Sequence, residues 1–153
     1  MISDTKVVAI GGGTGLSTML KGLKLHTHNI TAVVTVADDG GSSGILRSDL
    51  GMLAPGDVRN CVSALAEVDP VMGELLNFRF KDGSLKGHSL GNLFLAALNE
   101  TSSSFDEAVK KFSHLTGVVG TVYPVTNESV TLSALLEDCL LYTSPSPRDI
   151  SGS

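Results

Sequence analysis

Residues 7–16, VVAIGGGTGL, place a glycine-rich loop directly after a short apolar run. Residues 32–44, AVVTVADDGGSSG, repeat this arrangement with a second apolar run and a second glycine-rich loop. Backbone without Cβ atoms at the end of a buried strand can turn its N–H groups toward an anion. Two such loops on neighbouring strands therefore predict a site for a nucleotide-type ligand, which carries both phosphate and sugar.

Composition favours an α/β fold with one domain. The chain has 153 residues, of which 42% are hydrophobic, and its mean hydropathy of +0.23 is high for a protein without a membrane segment. Strands of a parallel sheet that is buried on both faces read as continuous apolar runs. We therefore expect a Rossmann-like, mainly parallel sheet with flanking helices on both of its faces.

Charge and cysteine content exclude several classes of function. A net charge of −5 argues against nucleic-acid binding, which needs a basic patch. The apolar stretch 93–98 is too short to span a bilayer, so we expect no membrane insertion. No signal peptide is visible, and Cys61 and Cys139 form neither a disulfide framework nor a metal motif. We expect a cytoplasmic protein.

The order of apolar patterns predicts a βαβ unit followed mainly by helices. Strands are expected at Lys6–Ile10 and Ile30–Ala37, on either side of a helix over Thr14–Lys24 with a periodic apolar stripe. Capping signals predict helices that begin near Asp57, Pro70 and Ser104, and an apolar run predicts another over Leu93–Asn99. Two strands are expected at 118–123 and 129–136. The chain between the second strand and Pro55 is expected to be loop.

The last fifteen residues differ in composition from the rest. Residues 139–153 are rich in serine and proline and are expected to extend neither a helix nor a strand. Residues 141–149 resemble translated sequencing-adapter read-through, with a natural disordered tail as the alternative. We therefore expect a nucleotide-binding domain over 1–138, the N-terminal part of a longer domain, and a non-native or disordered tail over 139–153.

The first glycine-rich loop suits a phosphate without matching a standard fingerprint. Leu16 stands where a dinucleotide fingerprint has its third glycine, and no Gly-Lys-Ser/Thr follows as in a P-loop. A tight turn needed only for packing is the alternative, but fewer glycines would satisfy it. The expected ligand-binding residues are Gly11, Gly12, Gly13, Thr14 and Gly15.

The second loop adds two adjacent acids. Asp38 and Asp39 end the second apolar run, where a carboxylate can bind ribose hydroxyls or, together with phosphate oxygens, Mg²⁺. A solvated turn is the alternative. Gly40, Gly41, Ser42 and Ser43 complete this part of the expected site.

Two further blocks contribute candidate side chains. In PGDVRN, residues 55–60, Arg59 could bind phosphate and Asn60 a base or sugar, while Asp57 is expected to cap a helix. Arg47 is another candidate cation. In GHSLGN, residues 87–92, the candidates are His88, Ser89 and Asn92, with His88 orienting the ligand or the loop. No Ser/His/Asp nucleophile arrangement is recognisable.

These four ordered blocks resemble the gluconeogenesis-factor family, in the superfamily that also contains 2-phospho-L-lactate transferase. The likeness covers about residues 6–138. It implies a Rossmann-like fold that binds a nucleotide-sugar such as UDP-N-acetylglucosamine, in a regulatory factor linked to cell shape and envelope synthesis during gluconeogenic growth. No reaction and no cofactor are established for that branch.

Two alternatives stay open. The transferase branch implies a Mg²⁺-dependent transfer of a phosphorus-containing group, with Asp38 and Asp39 as metal ligands. A dinucleotide-dependent oxidoreductase is weaker, because the third glycine and a recognisable proton donor are missing. An unpaired sheet edge would favour self-association, which leaves a homo-oligomer open.

Overall fold

The structure is a computed structural model that describes residues 3–135 and 141–143. A strand, a helix and a second strand come first, five helices follow, and three short strands end the described chain. In order, the elements are β1 Val7–Gly11, α1 Gly13–Leu23, β2 Ile30–Val34, α2 Gly41–Leu50, α3 Gly56–Leu65, α4 Pro70–Asn77, α5 Leu90–Glu100, α6 Phe105–Leu115, β3 Thr121–Pro124, β4 Ser133–Leu135 and β5 Leu141–Thr143.

The central sheet is parallel and has the order β1-β2-β3. Gly11 of β1 is paired with Val34 of β2, so the loops that follow these two strands leave the same edge of the sheet side by side. This pairing, flanked by helices, confirms the expected α/β, Rossmann-like class. It also explains why the two glycine-rich stretches lie close together.

Only one face of the sheet is covered within the described chain. Ile30, Ala32 and Val34 of β2 point into the core beneath the helices. On the other face, the side chains of Val8 and Ile10 are 65% and 75% exposed. Connections between neighbouring parallel strands are right-handed. Because the strand order β1-β2-β3 does not reverse direction, both connections lie on the same face of the sheet. The expectation of a sheet buried on both faces is therefore wrong for the described residues.

Three local predictions also fail. Residues 41–50, expected to be loop, form α2, although glycine and serine fill its first turn. Helix α3 begins at Gly56 with Pro55 as its N-cap, so Asp57 lies inside the first turn rather than capping it. Beyond Cys139, Leu141–Thr143 pairs antiparallel with Ser133–Leu135, which contradicts the expectation that no strand forms there.

Within the described residues, no helix is both long enough and apolar enough to cross a membrane.

Candidate functional site

A polar cavity of about 180 Å³ lies beyond the carboxyl ends of β1 and β2. The first turns of α2, α3 and α5 all contribute to its wall. Helix N-termini carry unpaired N–H groups and a partial positive charge, so their convergence suits an anion. The lining residues are Asp38, Gly40, Gly41, Ser42, Ser43, Gly56, Asp57, Arg59, Asn60, Arg79 and Asn92.

Two of these three helices begin without a side-chain cap. The N-cap residues of α2 and α3 are Gly40 and Pro55, and neither supplies a side-chain hydrogen bond to its helix. In contrast, α4, α5 and α6 are capped by the side chains of Asp69, Ser89 and Ser104. The Gly56 N–H at the start of α3 donates to Ser43 Oγ of α2 at 3.1 Å. The other backbone donors in the first turns of α2 and α3 are left for a ligand.

The first glycine-rich loop reaches this cavity through Asp57. A Cβ atom at Gly12 would lie 2.1 Å from Thr35 Cγ2 and 2.8 Å from Asp57 Oδ2, so only glycine fits. The pKa of Asp57 is raised, chiefly by burial and further by the charge of Asp38, while a hydrogen bond from the Gly13 N–H opposes the rise. The N-terminus of α1 is thus turned toward a half-buried carboxyl group at the cavity wall.

The two adjacent acids of the second loop have different surroundings. Asp39 forms an ion pair with Arg47, with 2.6 Å between Oδ1 and Nη1. Arg47 also donates to Ser129 Oγ at 3.2 Å and to the Val130 carbonyl. Both side chains line a separate depression of about 430 Å³. Asp38 accepts from the Gly40 N–H at 3.0 Å and lines the candidate cavity.

The different surroundings of the two acids bear on the predicted Mg²⁺ ligands, Asp38 and Asp39. Asp39 is neutralised by Arg47, whereas Asp38 and Asp57 line the same cavity and interact electrostatically. Among the described residues, no three His, Cys, Asp or Glu side chains come together as a metal site. Mg²⁺ commonly binds through one or two carboxylates plus phosphate oxygens. The pair Asp38 and Asp39 stays a prediction; Asp38 shares its cavity with Asp57, whereas Asp39 is ion-paired with Arg47.

A buried hydrogen-bond network holds the wall behind the cavity. Ser42 Oγ and His88 Nδ1 are joined at 2.9 Å, and the Asn92 side-chain amide donates to Ser42 Oγ at 3.1 Å. Ser89 Oγ accepts from the Asn92 N–H at 3.2 Å. The Ser42–His88 pair escaped the sequence analysis because 46 positions separate the two residues. His88 thus orients Ser42, and Ser89 serves as the cap of α5.

Arg59 is buried beside the cavity with neutral partners. Its side chain is 6% exposed, and it donates to Asn92 Oδ1 at 3.3 Å and to Asn77 Oδ1 at 2.9 Å. Burial and the nearby charge of Arg79 lower its pKa. Gly91 leaves room for it, since a Cβ atom there would lie 2.8 Å from Arg59 Cδ.

The structure divides the sequence-predicted residues into three groups. Those that line the cavity are Asp38, Gly40, Gly41, Ser42, Ser43, Arg59, Asn60 and Asn92. Those that contact the lining residues are Gly12 and Gly13, next to Asp57, and His88 and Ser89, in the network with Ser42 and Asn92. Gly11, Thr14 and Gly15 belong to the same loop and to the first turn of α1 but do not line the cavity. Asp39 does not line the cavity either.

Sequence reasoning missed part of the cavity wall. Gly56 and Arg79 were not assigned to the site, and Asp57 was considered only as a helix cap. Arg79 follows α4 outside every recognised motif, and an isolated bridge with Ser89 brings it to the cavity. No local pattern marks such a residue; only the pairing of distant segments does.

Comparison with family models gives a match over residues 7–142 to the family described as 2-phospho-L-lactate transferase CofD. A curated protein of Thermoanaerobacterium thermosulfurigenes is 64% identical over 137 residues, which are 90% of this chain and 42% of that protein. The Bacillus subtilis protein named gluconeogenesis factor is 51% identical over 134 residues, 87% of this chain and 42% of its own length.

A crystal structure of a Bacillus halodurans protein has the same fold. Its TM-score is 0.87 at 47% sequence identity, and the match covers 91% of this chain and 45% of that one. The chain therefore spans less than half the length of these relatives. The comparisons confirm the likeness to gluconeogenesis factors and to their wider superfamily.

Proposed function

The chain belongs to the family described as 2-phospho-L-lactate transferase CofD, and from this we propose that it forms the nucleotide-sugar-binding part of a cytoplasmic regulatory factor. The ligand is UDP-N-acetylglucosamine or a related nucleotide, and the full-length protein acts in cell morphogenesis and envelope synthesis under gluconeogenic growth. The relatives named gluconeogenesis factor support the regulatory role.

One observation carries the proposal: the uncapped N-termini of α2 and α3 face a single polar cavity. Backbone N–H groups at helix N-termini bind phosphate without any need for a basic surface. This suits a chain with a net charge of −5. Asp38 and Asn60 in the same wall can accept from and donate to sugar hydroxyls or a base.

Calorimetric titration of the full chain with UDP-N-acetylglucosamine, NAD and GTP, with and without Mg²⁺, tests this proposal. We expect binding of the nucleotide-sugar with no turnover. Ser42→Ala should weaken it, because Ser42 lines the cavity, whereas Ser48→Ala on the same helix should not, because Ser48 is exposed and bonds only locally. Failure of all three nucleotides to bind would contradict the proposal.

A second candidate is a Mg²⁺-dependent transferase of a phosphorus-containing group. The observation that favours it is the proximity of Asp38 to Asp57 at the cavity wall. Two carboxylates could hold the ion, which would neutralise a diphosphate. An acceptor hydroxyl would attack one phosphorus atom, lose its proton to solvent and displace the other phosphate, with its substituent, as the P–O bond between the two phosphates breaks. Metal-dependent product formation, abolished by Asp38→Asn and retained in Asp39→Asn, would support the transferase over the regulatory factor.

A further inference from the structure

Arg79 and Arg59 form a pair of guanidinium groups on the same wall of the cavity. Arg59 comes from the first turns of α3, while Arg79 lies just after α4 and is fixed by its bridge to Ser89 and by donating to the Gly87 carbonyl. Two like charges brought together by distant segments are unfavourable unless something compensates them.

No ion pair within the described chain provides that compensation. Neither arginine is part of an ion pair there, although Asp38 and Asp57 line the same cavity. Arg59 bonds only to two neutral amide oxygens and leaves three of its five N–H donors without a protein acceptor. A buried charge without a counter-charge is costly, and proteins generally pair such groups.

We propose that Arg59 and Arg79 together bind the diphosphate of the ligand, one phosphoryl group to each guanidinium. This rests on the proposed function and adds two things to it: the diphosphate as the recognised group, and Arg79 as a residue that determines specificity. A guanidinium binds a phosphate through two parallel hydrogen bonds. Two guanidinium groups beside two uncapped helix N-termini therefore favour a diphosphate over a single anion.

The two acids of the cavity, Asp38 and Asp57, indicate which part of the ligand lies opposite the diphosphate. Asp38 and Asp57 line the same cavity as Arg59 and Arg79 but form no ion pair with them within the described chain, so the wall has an acidic part, the two carboxylates, and a basic part, the two arginines. With the diphosphate on the basic part, the acidic part faces hydroxyl groups or a cation that the diphosphate also binds.

Titration of the full chain with inorganic pyrophosphate, sulfate, UDP, UMP and UDP-N-acetylglucosamine tests the pair. Pyrophosphate should bind more tightly than sulfate, and UDP more tightly than UMP. Arg79→Gln should weaken pyrophosphate and UDP by about tenfold, as expected for a charge-assisted hydrogen bond. Arg79 is exposed, so this variant should fold normally. Lys81→Gln, which removes the same charge from the same loop but does not line the cavity, is the matched control.

The outcomes separate this inference from the proposed function. If UDP-N-acetylglucosamine binds the Arg79→Gln variant as tightly as the unaltered chain, the inference is wrong while the function stands. If pyrophosphate binds through Arg79 but no nucleotide-sugar does, the diphosphate site stands and the function is wrong. Equal affinities for pyrophosphate and sulfate would also overturn the inference.

Discussion

Helices α2 and α3 begin differently from α4, α5 and α6, although the first turn of the capped helix α5 lines the cavity together with those of α2 and α3. The later three start with a side chain that accepts a backbone N–H, from Asp69, Ser89 and Ser104. The earlier two start from Gly40 and Pro55, which offer no such acceptor. A helix without a side-chain cap at its N-terminus is less stable than a capped one. In α2 and α3 the cap is missing where the first turn of the helix lines the cavity.

Gly12→Ala should cause the largest loss of folding stability, because the added Cβ atom has no room where the N-terminus of α1 packs against α3. The added methyl group would meet Thr35 and the Asp57 carboxylate, and overpacking of this kind costs about 1–3 kcal/mol. Urea unfolding of the variant measures it. Gly22→Ala, in open space on the same helix, should instead stabilise the chain by up to about 1 kcal/mol. Equal effects of the two changes would contradict a tight junction at Gly12.

Ser104→Ala should produce the next largest loss of folding stability. Its helix, α6, begins away from the cavity. Ser104 Oγ accepts from the Glu107 N–H at 3.2 Å, and loss of such a cap costs about 1 kcal/mol. Ligand affinity should not change, since Ser104 does not line the cavity. A change in affinity on titration with UDP-N-acetylglucosamine would show that the N-terminus of α6 is not separate from the binding site.

Much of this contrast follows from local sequence, and part of it does not. The cap at Ser104 was predicted because Ser and Glu stand three positions apart before an apolar stripe, a pattern that one segment determines alone. Helix α2 was missed because Gly41, Ser42 and Gly44 have low helix propensity; tertiary contacts, such as Ser42 with His88 and Asn92, hold its first turn.

The candidate site shows the same limit. The glycine-rich loops and the Asp38 position were predicted, because each follows a strand within one segment. The separation of Asp38 from Asp39 was not, because it depends on Arg47, Ser129 and Val130, whose approach no local pattern encodes.

Asp57→Asn should change the folding stability of the chain by an amount that depends on pH. The pKa of Asp57 is raised above its ordinary value of 3.8, so the folded chain binds this proton more tightly than the unfolded chain does. Its contribution to stability is therefore present below pH 3.8 and is lost as pH rises through the folded pKa. We expect the variant to match the unaltered chain in strong acid and to be the more stable of the two at neutral pH. Urea unfolding across pH measures this, and a variant that is less stable at neutral pH would contradict it.

Gly40→Ser should have the smallest effect on stability and the most selective effect on function. Gly40 has the extended backbone of an N-cap, with φ −80° and ψ 144°, and a Cβ atom there would lie 3.2 Å from Asp38 Oδ1. Serine can therefore supply the missing acceptor if the Asp38 side chain shifts by a few tenths of an ångström. Serine exceeds glycine as a cap by only a few tenths of a kcal/mol. Its hydroxyl would bind an N–H that the ligand otherwise uses, and UDP-N-acetylglucosamine should bind about tenfold more weakly. Gly22→Ser on α1 should leave affinity unchanged. If Gly40→Ser stabilises α2 without weakening the ligand, the open N-terminus of α2 is not part of the binding site.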